Sequence, residues 1–208
     1  MNHDHMVALC GEHIDRPGHI CAFFDSREQE YQTLIPYFRD GIDGSEWVFN
    51  IVDASRYDDH VGRLRASGLE VSDDGIKVRT SEETYLENDR FDMERMCDML
   101  GTLLEDARAA GKRVRTAGVM DWVSRNAPGS ERALEYEARM NLLVPVFDCT
   151  FMCVYDLAKL DGKTVVDILS THHFAIFKGQ IRRNPFYIAP EIYLKELIAD
   201  QPKHSSWF

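Results

Sequence analysis

His19-Ile-Cys-Ala-Phe-Phe-Asp-Ser-Arg-Glu-Gln-Glu-Tyr31 carries the reading that decides the fold. His19 to Phe24 is a short, continuous apolar run, the pattern of a strand buried on both faces. The chain then passes straight into a helix that begins near Ser26, a residue type that caps helix N-termini. In a nucleotide-binding α/β domain this junction holds a glycine-rich phosphate loop. Here it holds no glycine. The junction therefore offers a ligand crevice bordered by acidic and hydroxyl groups, which points to binding or sensing rather than to phosphoryl transfer.

Outward from this junction the same alternation repeats. Helix-period apolar positions Tyr31, Leu34, Ile35, Phe38 and Ile42 run up to Gly41 and Gly44, and Glu46–Val52 reads as the next strand. Tyr57–Ser67 predicts a helix stopped by Gly68, Ile76–Thr80 a strand, and Asp92–Ala110 a long amphipathic helix. Strands at Arg113–Met120, Cys149–Tyr155 and Phe174–Phe177 alternate with helices at Ser130–Leu143 and Lys163–Ser170, before a strand-to-helix tail at Ile188–Ala199. Buried strands alternating with helices predict a three-layer α/β domain, its mainly parallel central sheet covered by helices on both faces. Residues 19–200 form a single domain in this reading. Residues 1–18, polar and without period, are a loose or covering arm, and residues 201–208 a tail.

Composition narrows the function. The chain has 208 residues, 35 acidic against 24 basic, and a formal net charge of −11. A field of that sign repels phosphate backbones, and no lysine or arginine run offsets it, so direct nucleic-acid binding is not expected. No apolar run reaches the ~20 residues that span a bilayer, and the first residues lack the basic and apolar regions of a signal peptide. A cytoplasmic location and no membrane partner follow. The five cysteines have no disulfide-framework spacing and read as free thiols, mostly core filler.

In an open α/β sheet, ligands bind beyond the carboxyl ends of the strands. That rule selects Phe24, Asp25 and Ser26 after the first strand, Asp53 after the second, and Glu82, Glu83 and Tyr85 after the third. The fourth strand adds Asp121 and Trp122, the fifth Tyr155 and Asp156. Aromatic faces at Phe24, Tyr85, Trp122 and Tyr155 would supply contact area, and Asp25, Glu82, Glu83 and Asp121 would orient polar atoms. With almost no lysine or arginine in the set, an apolar or cationic small molecule suits it better than a nucleotide. Asp53 and Ser26 also read as helix caps.

Catalytic motifs are absent. Gly162-Lys163-Thr164 has the tail of a P-loop, but Leu157 stands where the first glycine belongs, and neither G-x-G-x-x-G nor G-x-S-x-G occurs. Glu82-Glu83 and Glu135-x-Glu137 could do acid–base work, but residues two apart on a helix diverge, so Glu135 and Glu137 read as separate structural groups. No enzyme activity is expected. A metal or haem site is the alternative: His19 and Cys21 share one strand face, with His3, His5, Cys10 and His13 close in sequence. His172-His173 could complete such a site from the far end of the chain, though adjacent residues point apart.

Six short motifs, in order, resemble those of the MEDS domain, the methanogen/methylotroph sensory domain first recognised in a dichloromethane-responsive repressor. They are His19-Ile-Cys-Ala-Phe-Phe with Glu28-x-Glu30-Tyr31, Glu83-Thr84-Tyr85, Gly118-x-Met120-x-Trp122, Glu135-Tyr136-Glu137-x-Arg139-x-Asn141, Cys153-x-Tyr155-Asp156 and Asn184-Pro185-Phe186-Tyr187. The resemblance spans residues 19 to about 194. It implies a RecA-like fold with a degraded nucleotide site and a sensory role toward hydrocarbon derivatives or related small metabolites. Val119 stands where the family often has an acidic residue, with Asp121 two positions later. No helix-turn-helix or kinase segment is read in the chain, so a sensor would signal through a regulatory protein partner or through self-association. A third reading is a RecA-like assembly protein without a ligand.

Overall fold

The computed structural model of the chain describes residues 6–15 and 18–200. The strand of the opening motif, β3 (Gly18–Phe24), is buried along its whole length. It follows a hairpin of β1 (Met6–Leu9) and β2 (Glu12–Asp15) and leads into α1 (Arg27–Asp43). The helix starts where expected because the Ser26 hydroxyl accepts a hydrogen bond from the Gln29 N–H. Next come β4 (Trp47–Val52), α2 (Tyr57–Ala66), β5 (Ile76–Thr80) and the single turn α3 (Ser81–Thr84). The short ribbon β6 (Leu86–Glu87) and β7 (Arg90–Phe91) precedes α4 (Met93–Ala109), which Asp92 caps. The chain continues through β8 (Val114–Val119), α5 (Asp121–Ser124), α6 (Ala133–Phe147), β9 (Thr150–Asp156) and α7 (Gly162–Ser170). It closes with β10 (Phe174–Phe177), β11 (Gln180–Arg183) and α8 (Pro190–Asp200).

Seven strands form one sheet in the order β11-β10-β3-β9-β8-β4-β5. All neighbours are parallel except β11, which runs antiparallel to β10 at the edge. Alternation along the strands divides the core in two. Ile20, Ala22, Phe24, Val48 and Val154 face the side of α1 and α2, whereas Cys21, Phe23, Phe151, Cys153 and Tyr155 face the side of α4 and α6. Burial on both faces explains why these strands read as continuous apolar runs.

The arm expected over residues 1–18 is, in its described part, an ordered hairpin with Val7, Leu9 and Ile14 buried in the α1-side core. Its two-residue loop, Cys10-Gly11, has φ of 53° and 75°, the positive pair that a tight hairpin turn requires. The terminal element is a helix without the strand expected before it. The tail at 201–208 lies outside the described residues.

Two buried polar groups fix the helices on this side, one to the sheet and one to each other. Arg115 of β8 is fully buried and pairs with Glu46 at 2.7 Å and with Asp40 of α1 at 2.7 Å. His60 of α2 is fully buried, its Nδ1 2.9 Å from the Tyr31 hydroxyl. Burial, followed by the nearby Arg56 charge, pushes its pKa down from 6.5 to about 4. Between those pH values the unfolded chain holds a proton that the folded chain does not, so this residue costs stability as pH falls through the window. His60→Asn keeps a partner for Tyr31 and removes the titration. Its urea-unfolding free energy is expected to fall about 3 kcal/mol less than the wild type's between pH 7 and pH 4.

Candidate functional site

The strand-end crevice is filled by ion pairs. Lys159 Nζ lies 2.5 Å from Asp121 Oδ2 and 3.8 Å from Asp156 Oδ2. Arg125 reaches Asp53 at 2.8 Å and Glu82 at 3.8 Å. Arg27 and Arg56 hold the buried Glu30 carboxylate at 2.5 and 2.7 Å. The expectation of a crevice nearly free of lysine and arginine is therefore corrected: cations from α1 and from the segments after α5, β4 and β9 converge on the carboxylates. Burial raises the Asp53 pKa, but hydrogen bonds from Ser55 and the charge of Arg125 outweigh it and leave the carboxyl below its usual range.

The residues predicted for that crevice disperse. Phe24 is buried on the α1 side of the sheet, opposite the other three aromatic rings. Asp25 and Ser26 are exposed at the start of α1, where Ser26 caps the helix and Gln29 reaches Asp25 at 3.5 Å. Glu82 accepts a hydrogen bond from the Ala54 N–H. Glu83 closes a capping box with Thr80. Trp122 is fully buried, stacked 5.3 Å from Tyr85 and 4.4 Å from Phe91.

What the structure brings together lies beneath the sheet. A cavity of about 420 Å³ opens between the strands and α4. Its walls are Phe49, Ile51 and Phe151 from the sheet, Leu100 and Leu103 from α4, and Met140 from α6. Exposed Arg79, Glu83 and Met99 border one part of it, and buried His19 and Cys153 border another. Of the predicted ligand residues, Glu83 and Tyr85 line this cavity. Tyr85 fits because Gly118 has no side chain: a Cβ there would stand 2.1 Å from the Tyr85 hydroxyl.

At the buried end, four side chains meet. His19 of β3, Glu137 of α6, Cys153 of β9 and His172, between α7 and β10, each offer one donor atom, and all four atoms lie within 4.8 Å of one another. Glu137 Oε2 is 3.1 Å from His19 Nε2, 3.3 Å from Cys153 Sγ and 3.5 Å from His172 Nε2. Cys153 Sγ is 3.5 Å from His19 Nε2. The far side of each group is held in place. The Tyr155 hydroxyl donates to Glu137 Oε1 at 3.2 Å, His19 Nδ1 meets Asn141 Oδ1 at 3.2 Å, and His172 Nδ1 meets the Ile168 carbonyl at 2.8 Å. Asn141 is itself fixed, since its amide nitrogen donates to the Glu137 and Thr171 carbonyls.

Burial dominates the electrostatics here. It raises the Cys153 thiol and the Tyr155 phenol well above their ordinary pKa values, and the Glu137 charge adds to both shifts. For Glu137 burial also acts upward, but the hydrogen bond with His19 and the neighbouring imidazoles prevail and hold it below the carboxylate range. Burial and the facing His19 push His172 down to about 3.

Sequence reasoning placed His19 in a candidate metal site but paired it with Cys21. The Cys21 thiol instead donates to the Phe174 carbonyl at 3.5 Å, and Cys153, on the neighbouring strand, takes the place beside His19. His13 is exposed on β2, and His3 and His5 lie outside the described residues. His172 and His173 point apart as expected, with the His173 ring 4.1 Å from that of Tyr187. Glu137 went unnoticed because it was weighed against Glu135, which instead pairs with Arg132 and Arg139 on the exposed side of α6.

Gly118→Ala should drive the Tyr85 ring off Trp122 and cost about 1–3 kcal/mol as an overpacking substitution. A changed near-UV circular dichroism spectrum with a lowered urea midpoint is the expected result.

A search of curated proteins finds no match. Among solved structures, a KaiC-like protein of the hyperthermophilic archaeon Pyrococcus horikoshii OT3 superposes with a TM-score of 0.49 at 10% identity, over 78% of this chain and 71% of that one. The flagellar accessory protein FlaH of Methanocaldococcus jannaschii gives 0.45 at 10% identity, over 83% of this chain and 78% of the other. The three-layer α/β fold with a mainly parallel central sheet expected from the sequence is the one observed. The family model described as the methanogen/methylotroph, DcmR sensory domain matches residues 18–173. That span covers most of the sheet and all four clustered side chains, and the chain belongs to the MEDS family.

Proposed function

We propose that this chain is a sensory domain that takes up a small, mainly apolar molecule in the cavity beneath the sheet, rather than in the crevice over the strand ends. The observation that carries this reading is the cavity itself: about 420 Å³, walled mainly by aromatic and aliphatic side chains, with a few polar groups such as Asn50, Lys77 and Thr116 among them. Ligand sites are of this size and character, roughly 300–1,000 Å³ and apolar with a few placed polar groups. Met96, Met99 and Met140 in the wall give it the adaptable surface that unbranched thioether side chains provide. A neutral molecule with one polar atom suits it best, its body against Leu100, Leu103 and Phe151 and its polar atom toward Tyr85 or Cys153.

The ligand acts on the fold through α4, which forms one wall. Occupation favours one position of α4 and of the β6–β7 ribbon before it, and so changes the surface shown to a regulatory protein or to a second copy of the chain. Exposed apolar side chains on the later helices, Val146 at 61% and Ile192 at 54% exposed, offer such a partner a contact.

The test is binding of the neutral fluorophore N-phenyl-1-naphthylamine, competed by short halogenated and oxygenated hydrocarbons. Leu103→Trp fills the cavity from α4. It is expected to weaken probe binding at least about tenfold, about 1.4 kcal/mol, with the melting temperature unchanged. Equal binding by both proteins would refute the assignment.

A further inference from the structure

We propose that His19, Glu137, Cys153 and His172 form a tetrahedral site for one divalent metal ion of the zinc class. This goes beyond the ligand cavity and does not depend on it. Three independent features of the cluster support it.

The first is distance. A tetrahedral zinc ion, with bonds of about 2.0–2.2 Å to nitrogen and oxygen and about 2.3 Å to sulfur, sets its donors about 3.3–3.6 Å apart. Here Cys153 Sγ is 3.5 Å from His19 Nε2 and 3.3 Å from Glu137 Oε2, and Glu137 Oε2 is 3.1 and 3.5 Å from the two imidazole Nε2 atoms. All the donor atoms lie within 4.8 Å of one another. A porphyrin does not fit among groups so close, which decides between the two metal-centre chemistries open from the sequence in favour of a bare ion.

The second is the direction of the lone pairs. A carbonyl oxygen only accepts, so His172 Nδ1, 2.8 Å from the Ile168 carbonyl, carries the hydrogen. Its Nε2 then presents a lone pair toward Glu137. That atom is fully buried and lacks a hydrogen-bond partner. His19 is oriented in a similar way, its Nε2 facing Glu137 and Cys153. Asn141 spends its amide hydrogens on the Glu137 and Thr171 carbonyls, so its Oδ1 accepts from His19 Nδ1. Both rings therefore aim Nε2 at one point, where a carboxylate oxygen and a sulfur already converge. Oriented imidazoles and a carboxylate anchored by outer hydrogen bonds are the outer shell that metal sites use to fix their ligands.

The third is charge. A thiolate, a carboxylate, two neutral imidazoles and a divalent cation sum to zero. All four residues are at most 7% exposed, and a neutral assembly is what such burial demands. Thiolate with imidazole favours zinc over the hard cations that prefer oxygen ligands. Access comes from both sides: the apolar cavity touches His19 and Cys153, and a second cavity, of about 470 Å³, touches Glu137 and Tyr155.

Cobalt(II) reads out this geometry directly. The full chain, stripped with a chelator, is titrated with cobalt(II) and then with zinc. The expected result is saturation at one equivalent with intense visible bands of a tetrahedral ion and a thiolate-to-cobalt charge-transfer band, all abolished by zinc. Cys153→Ser should lose the charge-transfer band and bind cobalt at least about a hundredfold more weakly. Asn141→Ala, which frees His19 without removing a donor, should weaken binding about 10–100-fold while keeping the band. Near-UV circular dichroism of each variant controls for folding. A wild-type protein without the charge-transfer band, or a band that survives in Cys153→Ser, overturns the proposal and makes the cluster a hydrogen-bonded one. Naphthylamine binding by the chelator-treated protein is read separately, so the metal site and the cavity fail or stand independently.

Discussion

A carboxylate that is almost wholly buried governs the centre of this molecule. Glu137 is 1% exposed, yet its pKa lies below the ordinary carboxylate range. An isolated charge in that position would cost several kcal/mol, so the surroundings must supply hydrogen bonds and positive charge. They do so from three other parts of the chain: β3 contributes His19, β9 contributes Cys153 and Tyr155, and the segment before β10 contributes His172, while Asn141, one turn along α6, holds His19 in place. Each contact fixes the position of α6 against the sheet. Packing alone would leave the helix free to slide by a ridge, whereas a buried polar network admits one register.

The same demand for compensation explains the strand ends. The junction after β3 has a serine cap where nucleotide-binding α/β domains hold a phosphate loop, and the carboxylates around it could not remain together unpaired. Arg27, Arg56, Arg125 and Lys159 settle into the space and neutralise Glu30, Asp53, Asp121 and Asp156. Once these pairs form, the crevice is internally satisfied. The unfilled apolar space lies on the other side of the sheet edge, below α4.

Much of this was legible in the chain, and what was not has physical reasons. Ser26 and Asp92 announced the starts of α1 and α4 because a cap is a local signal. Strand β10 was readable to the residue as an apolar run, and β5 as an apolar–polar alternation, Ile76, Val78 and Thr80 against Lys77 and Arg79. The β1–β2 hairpin was missed because each strand is only four residues long, too short for alternation to stand out. The crevice was misjudged because its cations, Arg27, Arg56, Arg125 and Lys159, lie a few residues past each strand end, and a rule that selects strand-end residues passes over them. Period-two alternation correctly put His19 and Cys21 on one face, as both face the α4 side of the sheet. It cannot say which strand becomes the neighbour. The parallel register sets Cys153 opposite Cys21 and Phe151 opposite His19, so the thiol diagonal to His19 comes from a residue 134 positions away.

That register also explains why the motifs behind the family resemblance are spread along the chain yet belong to one place. His19 comes from the first, Glu137 and Asn141 from the fourth, and Cys153 and Tyr155 from the fifth, and the fold gathers them around a single carboxylate. Gly118 and Tyr85, from two others, shape the wall beside it through a contact that admits no Cβ. A polar cluster and an apolar cavity that share His19 and Cys153 cannot be independent in mechanics, even where their ligands differ. Any molecule that presses on Cys153 from the cavity moves an atom 3.3 Å from Glu137. Through Glu137 it reaches α6, which packs against α4 on one side and α8 on the other. The cavity wall, the polar cluster and the packed helices are thus joined through one side chain.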